Sequence, residues 1–198
     1  MKNKFSRSEK MKKLLTLLIL FVFVFPFSIS AKKVNKNIPY YTIGPGDVLE
    51  ISVWQDERLD KKVVVPPDGV ISYPLIGDIN VKGLTVAELR RVITQRLKSY
   101  IPDAIVTVML LEINSLKAYV IGKVNRPGEY PIGLNTNVMQ ILAMAGGFTP
   151  FASPDKIIIL RKKDGKLIKI PFNYDEVVKG KNLQQVITLK RGDVVVVP

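Results

Sequence analysis

The chain has 198 residues, 47% of them hydrophobic, and a formal net charge of +13. It contains no Cys and no His, which excludes a Ser-His-Asp triad, a cysteine nucleophile, a thiolate or imidazole zinc site and a disulfide framework. The length and apolar content suit one ordinary domain or two small ones with real cores.

Residues 1–31 have the three-part layout of a secretory signal peptide. Lys2, Lys4, Arg7, Lys10, Lys12 and Lys13 form a basic start, an apolar run from Leu14 to Phe25 follows with only Thr16 interrupting it, and Pro26 leads to the small residues of Ser28-Ile29-Ser30-Ala31. A 12-residue run rises about 18 Å as a helix, short of the roughly 30 Å hydrocarbon core, which favours cleavage after Ser30 or Ala31 over an uncleaved anchor. Met11 is an alternative start. Removing these six basic residues and Glu9 from the totals of 30 and 17 leaves a net charge of +8. A solvated, mildly basic surface is the plain reading of that excess; anionic glycans or phospholipid headgroups are the partners it would suit, and export argues against nucleic acid.

After a basic linker at 32–40, the first unit is expected over 41–115. Gly44-Pro45-Gly46-Asp47 suits a type II turn, because Pro45 presets φ at the second position and Gly46 supplies positive φ at the third. Val48, Leu49, Ile51 and Val53 alternate with Glu50 and Ser52, which predicts a half-buried strand ending at Trp54. Strands are predicted at 62–66, 70–76 and 79–81, with Pro67-Asp68-Gly69 as a hairpin signal between the first two. Thr85 and Glu88 fit a capping box, and Val86, Leu89, Val92, Ile93 and Leu97 then fall on one helical face. Arg90, Arg91, Arg96 and Lys98 take the other side. Residues 104–112 read as a strand apolar on both faces, either central or covered by another subunit. Val106, Val108 and Leu110 are its candidate interface residues.

The second unit is expected over 116–198. A strand at 117–124, the turn Asn125-Arg126-Pro127-Gly128 and a returning strand at 129–132 come first. A helix beginning near Thr136 carries Val138, Ile141, Leu142 and Ala145 on one face and ends at Gly146-Gly147, which offer an unhindered left-handed cap. Two strands flank Asp164-Gly165, and Arg191-Gly192-Asp193 leads into a final strand at 194–197. The order strand-strand-helix-strand-strand-strand is that of a β-grasp module.

The run from Tyr41 to Trp54, Y-x-I-G-P-G-D-x-L-x-I-x-V-W, resembles the opening motif of the Wza-type polysaccharide biosynthesis/export family. Val120-Ile121-Gly122-Lys123-Val124, Arg126-Pro127-Gly128, Ala145-Gly146-Gly147 and Arg191-Gly192-Asp193-Val194 resemble the soluble-ligand-binding β-grasp (SLBB) domain. Pro67-Asp68-Gly69, Gly77 and Gly83-Leu84-Thr85 extend the match, so that the two resemblances cover 40–198. The resemblance implies an α+β chain, a mixed α/β polysaccharide-export domain followed by an SLBB domain. It further implies a non-enzymatic ring component that passes a capsule or exopolysaccharide. Its neighbours would be an inner-membrane polysaccharide co-polymerase and a separate outer-membrane component, and its place the periplasm beside the outer membrane. A lipidated cysteine, frequent in the family after the signal peptide, has no counterpart here.

No cofactor or active site is proposed by these residues. Asp56, Glu57 and Asp60 cluster in a polar loop without any sign of the burial that glycosidase carboxylates need. Gly44, Gly46, Gly69, Gly122, Gly128, Gly146, Gly147 and Gly192, with Pro45 and Pro127, are expected to serve backbone geometry. Asp47 and Asp193, each following Gly at the start of a strand, are expected to accept backbone N–H groups in turns, and Asp68 is a further structural candidate. Contact with a glycan is the sharper alternative for the aspartates and for Tyr41, Tyr73 and Trp54, whose rings suit a pyranose face as well as a core. Two functions remain open: a homo-oligomeric conduit, or a monomeric periplasmic accessory module that binds a glycan or partner.

Overall fold

Alternation over Val48–Val53 produces strand β1, whose inward residues Leu49, Ile51 and Val53 are buried. The computed structural model describes residues 40–198; the signal-peptide reading of 1–31 lies outside them. β1 is central in a three-stranded antiparallel sheet, between β2 (Lys61–Val64) and β5 (Val106–Glu112). A separate two-stranded ladder joins β3 (Val70–Tyr73) to β4 (Gly77–Asn80). Helix α1, Val86–Leu97, packs Leu89, Ile93 and Leu97 into the same core. Its capping box forms as expected: Glu88 N donates to Thr85 Oγ1 at 3.2 Å and Thr85 N to Glu88 Oε2 at 2.8 Å.

Two expectations need correction. Asp68-Gly69 is a turn but not a hairpin, because β2 pairs with β1 and β3 with β4. Asp68 Oδ1 accepts the Val70 N–H at 3.0 Å, and Gly69, at φ +78°, passes the chain to Val81, whose N–H bonds Gly69 O at 2.8 Å. The second concerns β5. Its register sets Leu110, Val108 and Val106 opposite Leu49, Ile51 and Val53, so these three side chains face the chain's own core rather than a neighbour. A side-chain period of two then turns Thr107, Met109 and Leu111 outward. A charge at Val108 would break the core instead of reporting an interface.

The rest of the chain builds a five-stranded sheet in the order β7-β6-β10-β8-β9. Its strands are β6 (Lys117–Gly122), β7 (Gly128–Pro131), β8 (Ile157–Lys163), β9 (Lys166–Phe172) and β10 (Val194–Val197). The first and last strands lie parallel at its centre and every other pair is antiparallel, which is the β-grasp arrangement. Helix α2, Val138–Met144, supplies Val138, Ile141 and Leu142 to the core beneath it. Its cap is Asn137 rather than Thr136: Gln140 N donates to Asn137 Oδ1 at 3.0 Å, while Thr136 Oγ1 accepts the Gly133 N–H at 2.8 Å. A short helix α3, Tyr174–Val178, not anticipated from the pattern, is capped by Asn173. The chain is α+β. Each half has its own apolar cluster, and the two lie within one compact unit, Pro39–Pro198.

Candidate functional site

The first Gly-Asp turn is built on backbone geometry. Gly46 sits at φ +91°, and Asp47 N donates back to Gly44 O at 3.2 Å. Positive φ with an open flank makes this a conformational demand: a Cβ at Gly46 would find Asn114 Cβ only at 3.7 Å. Gly46→Val is therefore expected to lower stability by about 1–3 kcal/mol through backbone strain alone. A denaturant melt that leaves the midpoint unchanged would refute this.

Asp47 is fully buried, and every contact of its carboxylate is accounted for. Oδ2 accepts the Gly44 N–H at 2.8 Å and the Tyr41 hydroxyl; Oδ1 accepts Asn114 N at 3.0 Å and Ser115 N at 2.9 Å. Burial raises the pKa of this group, but the hydrogen bonds from Tyr41, Gly44 and Ser115 outweigh it and hold the carboxyl below its ordinary value. Burial, reinforced by that carboxylate, pushes the Tyr41 phenol up to about 12. The carboxylate thus ties the start of β1 to the segment that leaves β5.

The turn before β10 repeats the construction. Gly192 has φ +79°, Asp193 N donates to Lys190 O at 3.1 Å, and Asp193 Oδ2 accepts Lys190 N at 2.8 Å. The docking to the adjacent strand matches as well. Gly46 N and Asp47 O bond Val65; Gly192 N bonds Lys117 O, and Asp193 O accepts Tyr119 N, each at 2.8 Å. Where Asp47 uses Tyr41 and two amides, the buried Asp193 is held by Arg161, with Nε at 2.9 Å from Oδ1 and Nη2 at 2.6 Å from Oδ2. Arg161 Nη2 also reaches Thr188 O at 2.9 Å.

Arg191 joins the two turns. Its Nη2 donates to Thr42 O at 2.6 Å, and its guanidinium lies over the Tyr41 ring, 5.8 Å from the centroid, within cation–π range. Gly44 makes room for it. That glycine is not at positive φ; a Cβ there would lie 2.5 Å from Arg191 Cζ and 2.7 Å from Ser115 Oγ. Beside this contact is an open groove of about 610 Å³. It is lined by Tyr40–Thr42, Leu116, the loop Gly133–Asn135 and Thr188–Arg191.

The structure thus gathers Tyr41, Gly44, Pro45, Gly46, Asp47, Gly192 and Asp193 around one junction. Of these only Tyr41 lines the groove itself, and the other candidates lie elsewhere. Trp54 is 70% exposed at the far end of β1, beside Ile105, while Tyr73 is buried and donates its hydroxyl to Leu59 O at 2.7 Å. Gly122 sits at φ +96° against the backbone of Val197. Arg126, ahead of Pro127 and Gly128, closes the end of α2: its N donates to Ala145 O at 2.9 Å and its Nη2 to Met144 O at 3.0 Å. Gly146 and Gly147 follow at φ +77° and +75°. Arg161, Asn114 and Ser115 are the residues that sequence reasoning missed. Among the described residues there is no cluster of three or more metal-ligating side chains.

The polysaccharide biosynthesis/export family model matches residues 35–111, and the SLBB domain model matches 117–171. The chain carries a polysaccharide biosynthesis/export domain followed by an SLBB domain. The family is a transport component rather than an enzyme. The junction described above therefore joins the stretch matched as the export domain to the β-grasp sheet, whose residues 117–171 are matched as SLBB. The chain is 29% identical to the polysialic acid transport protein KpsD of Escherichia coli over 145 residues, 72% of this chain and 26% of that protein. It is 28% identical to the capsule polysaccharide export outer membrane protein CtrA of Neisseria meningitidis serogroup A over 174 residues, 78% of this chain and 43% of the relative. With the EPS I polysaccharide export outer membrane protein EpsA of Ralstonia nicotianae it shares 28% identity over 180 residues, 78% and 46% of the two chains. The chain spans less than half the length of each of these relatives.

Proposed function

We propose that this chain is an exported component of a capsule or exopolysaccharide export machine and forms a homo-oligomeric ring through which the polymer passes. Its domains are an export domain over 41–115 and an SLBB domain over 116–198. It acts in the periplasm, associated with the outer membrane, beside an inner-membrane polysaccharide co-polymerase and a separate outer-membrane component. The names of the relatives, polysaccharide transport and capsule export, support the substrate class. Among the described residues no helix is long and apolar enough to cross a membrane, which leaves β-barrel spanning unaddressed.

The observation that carries the ring is the outer side of β5. This is an edge strand, yet it and its flanks expose Ile105, Met109, Leu111 and Ile113, Met109 at 45% and Leu111 at 43%. A bare apolar face on an edge strand is a hazard that a neighbouring subunit removes, and a neighbour that covers it with a different surface, repeated head to tail, closes a ring. Light scattering on the exported form should give a mass several times that of one chain. Met109→Asp with Leu111→Asp should disperse the assembly and stop export, and deletion of the gene should abolish surface polysaccharide while leaving its synthesis intact. A protein monomeric at every concentration, with export surviving the substitutions, would replace the conduit by the accessory binding module.

A further inference from the structure

The junction groove contains side chains that the Gly-Asp turns do not use. Arg191 is committed to Thr42 and Tyr41, but its charge stays at the groove wall. Lys190 is exposed beside it and, among the described residues, forms no ion pair. Tyr40, with an exposed ring, and Asn135, with its amide, also line the groove. We propose that this groove binds one or two units of an acidic saccharide chain, with Lys190 and Arg191 meeting the anionic group, Tyr40 stacking on a pyranose face and Asn135 bonding hydroxyls. The proposal rests on the export reading and adds where, and by which chemistry, the polymer touches the chain.

Three observations support it. The volume, about 610 Å³, lies in the range of small-molecule sites, roughly 300–1,000 Å³, and such sites favour junctions between domains. The groove is open to solvent, as an internal unit of a polymer requires, since its neighbours must leave in both directions. Hydrogen bonds tie together the backbone segments that line the groove. Thr42 is held by Arg191, Leu189 N donates to Thr136 O at 2.8 Å, Thr136 N to Gly133 O at 3.2 Å, and Ile132 N to Leu116 O at 3.0 Å. A preformed site spares the ordering cost that a flexible one meets on binding. Cations beside an aromatic ring select an acidic sugar over a neutral one, and the selection weakens with salt.

The test uses the exported protein, an oligogalacturonate hexamer as acidic probe and maltohexaose as neutral probe, followed by amide NMR titration. The acidic probe should shift the amides of 133–135 and 188–191, lose affinity at least tenfold in Lys190→Glu and in Tyr40→Ala, and weaken as salt rises. Arg90→Glu, on the basic face of α1, should bind as the parent does. Equal binding of both probes, unchanged affinity in Lys190→Glu and Tyr40→Ala, or shifts confined to α1 would overturn the proposal. Groove shifts that follow protein concentration rather than sugar would also overturn it, by making the groove a contact between copies. The export reading fails separately, through a gene deletion that leaves secretion intact.

Discussion

Arg161→Met is expected to destabilise the protein by about 3–5 kcal/mol, because it strands the Asp193 carboxylate, 1% exposed, without its cation. Lys190 N would remain as a donor, but the bidentate guanidinium and its bond to Thr188 O would be gone. The double variant Arg161→Met with Asp193→Asn should recover much of the loss, since it removes the buried charge while keeping an acceptor for Lys190. Urea melts of the parent, the two single variants and the double variant measure this as a cycle. Should the single Arg161→Met melt within about 1 kcal/mol of the parent, the closed pair does not exist in solution.

The second large effect comes from Gly122. At φ +96° it lies so close to β10 that a Cβ would overlap the Val197 carbonyl oxygen and sit 2.9 Å from Val197 C. Both obstacles are backbone, so neither can rotate away as a side-chain tip would. Gly122→Ala must open the central parallel pair of the β-grasp sheet, and a loss above about 3 kcal/mol is expected. Gly128→Ala is the matched control, with no positive φ and open space where its Cβ would go, and should stay within about 1 kcal/mol of the parent. Thermal melts compare the two. Equal midpoints for Gly122→Ala and Gly128→Ala would show that the close approach is absent.

Local signals were legible where the physics is local. The capping box at Thr85, the positive φ of Gly46 and the left-handed pair Gly146-Gly147 follow from residues a few positions apart. Partners distant in the chain were not legible. Asp68-Gly69 announces a turn, but only the pairing of β1 with β2 decides that no hairpin follows. In β5 both alternating sets contain large apolar residues, so the sequence cannot say which set faces inward; the register against Leu49, Ile51 and Val53 does. Arg161 sits in the basic run Arg161-Lys162-Lys163, and nothing nearby marks it as the partner of Asp193. Gly44 was expected to be a turn glycine. Its cause is steric, and it appears only once Arg191 and Ser115 are seen packed against it.

The Asp47 knot also bears on the order in which the chain can close. Synthesis runs from the N-terminus, so Asp47 is made long before Asn114 and Ser115, which supply two of the donors to its carboxylate. Until those amides emerge, that carboxylate must keep water, and burying it would leave acceptors unmet. The first half therefore cannot finish closing until its own last two residues, the ones that lead into β6, are available. A fragment ending at Ile113 would contain every strand of that half and still lack the bonds that let its first turn go dry.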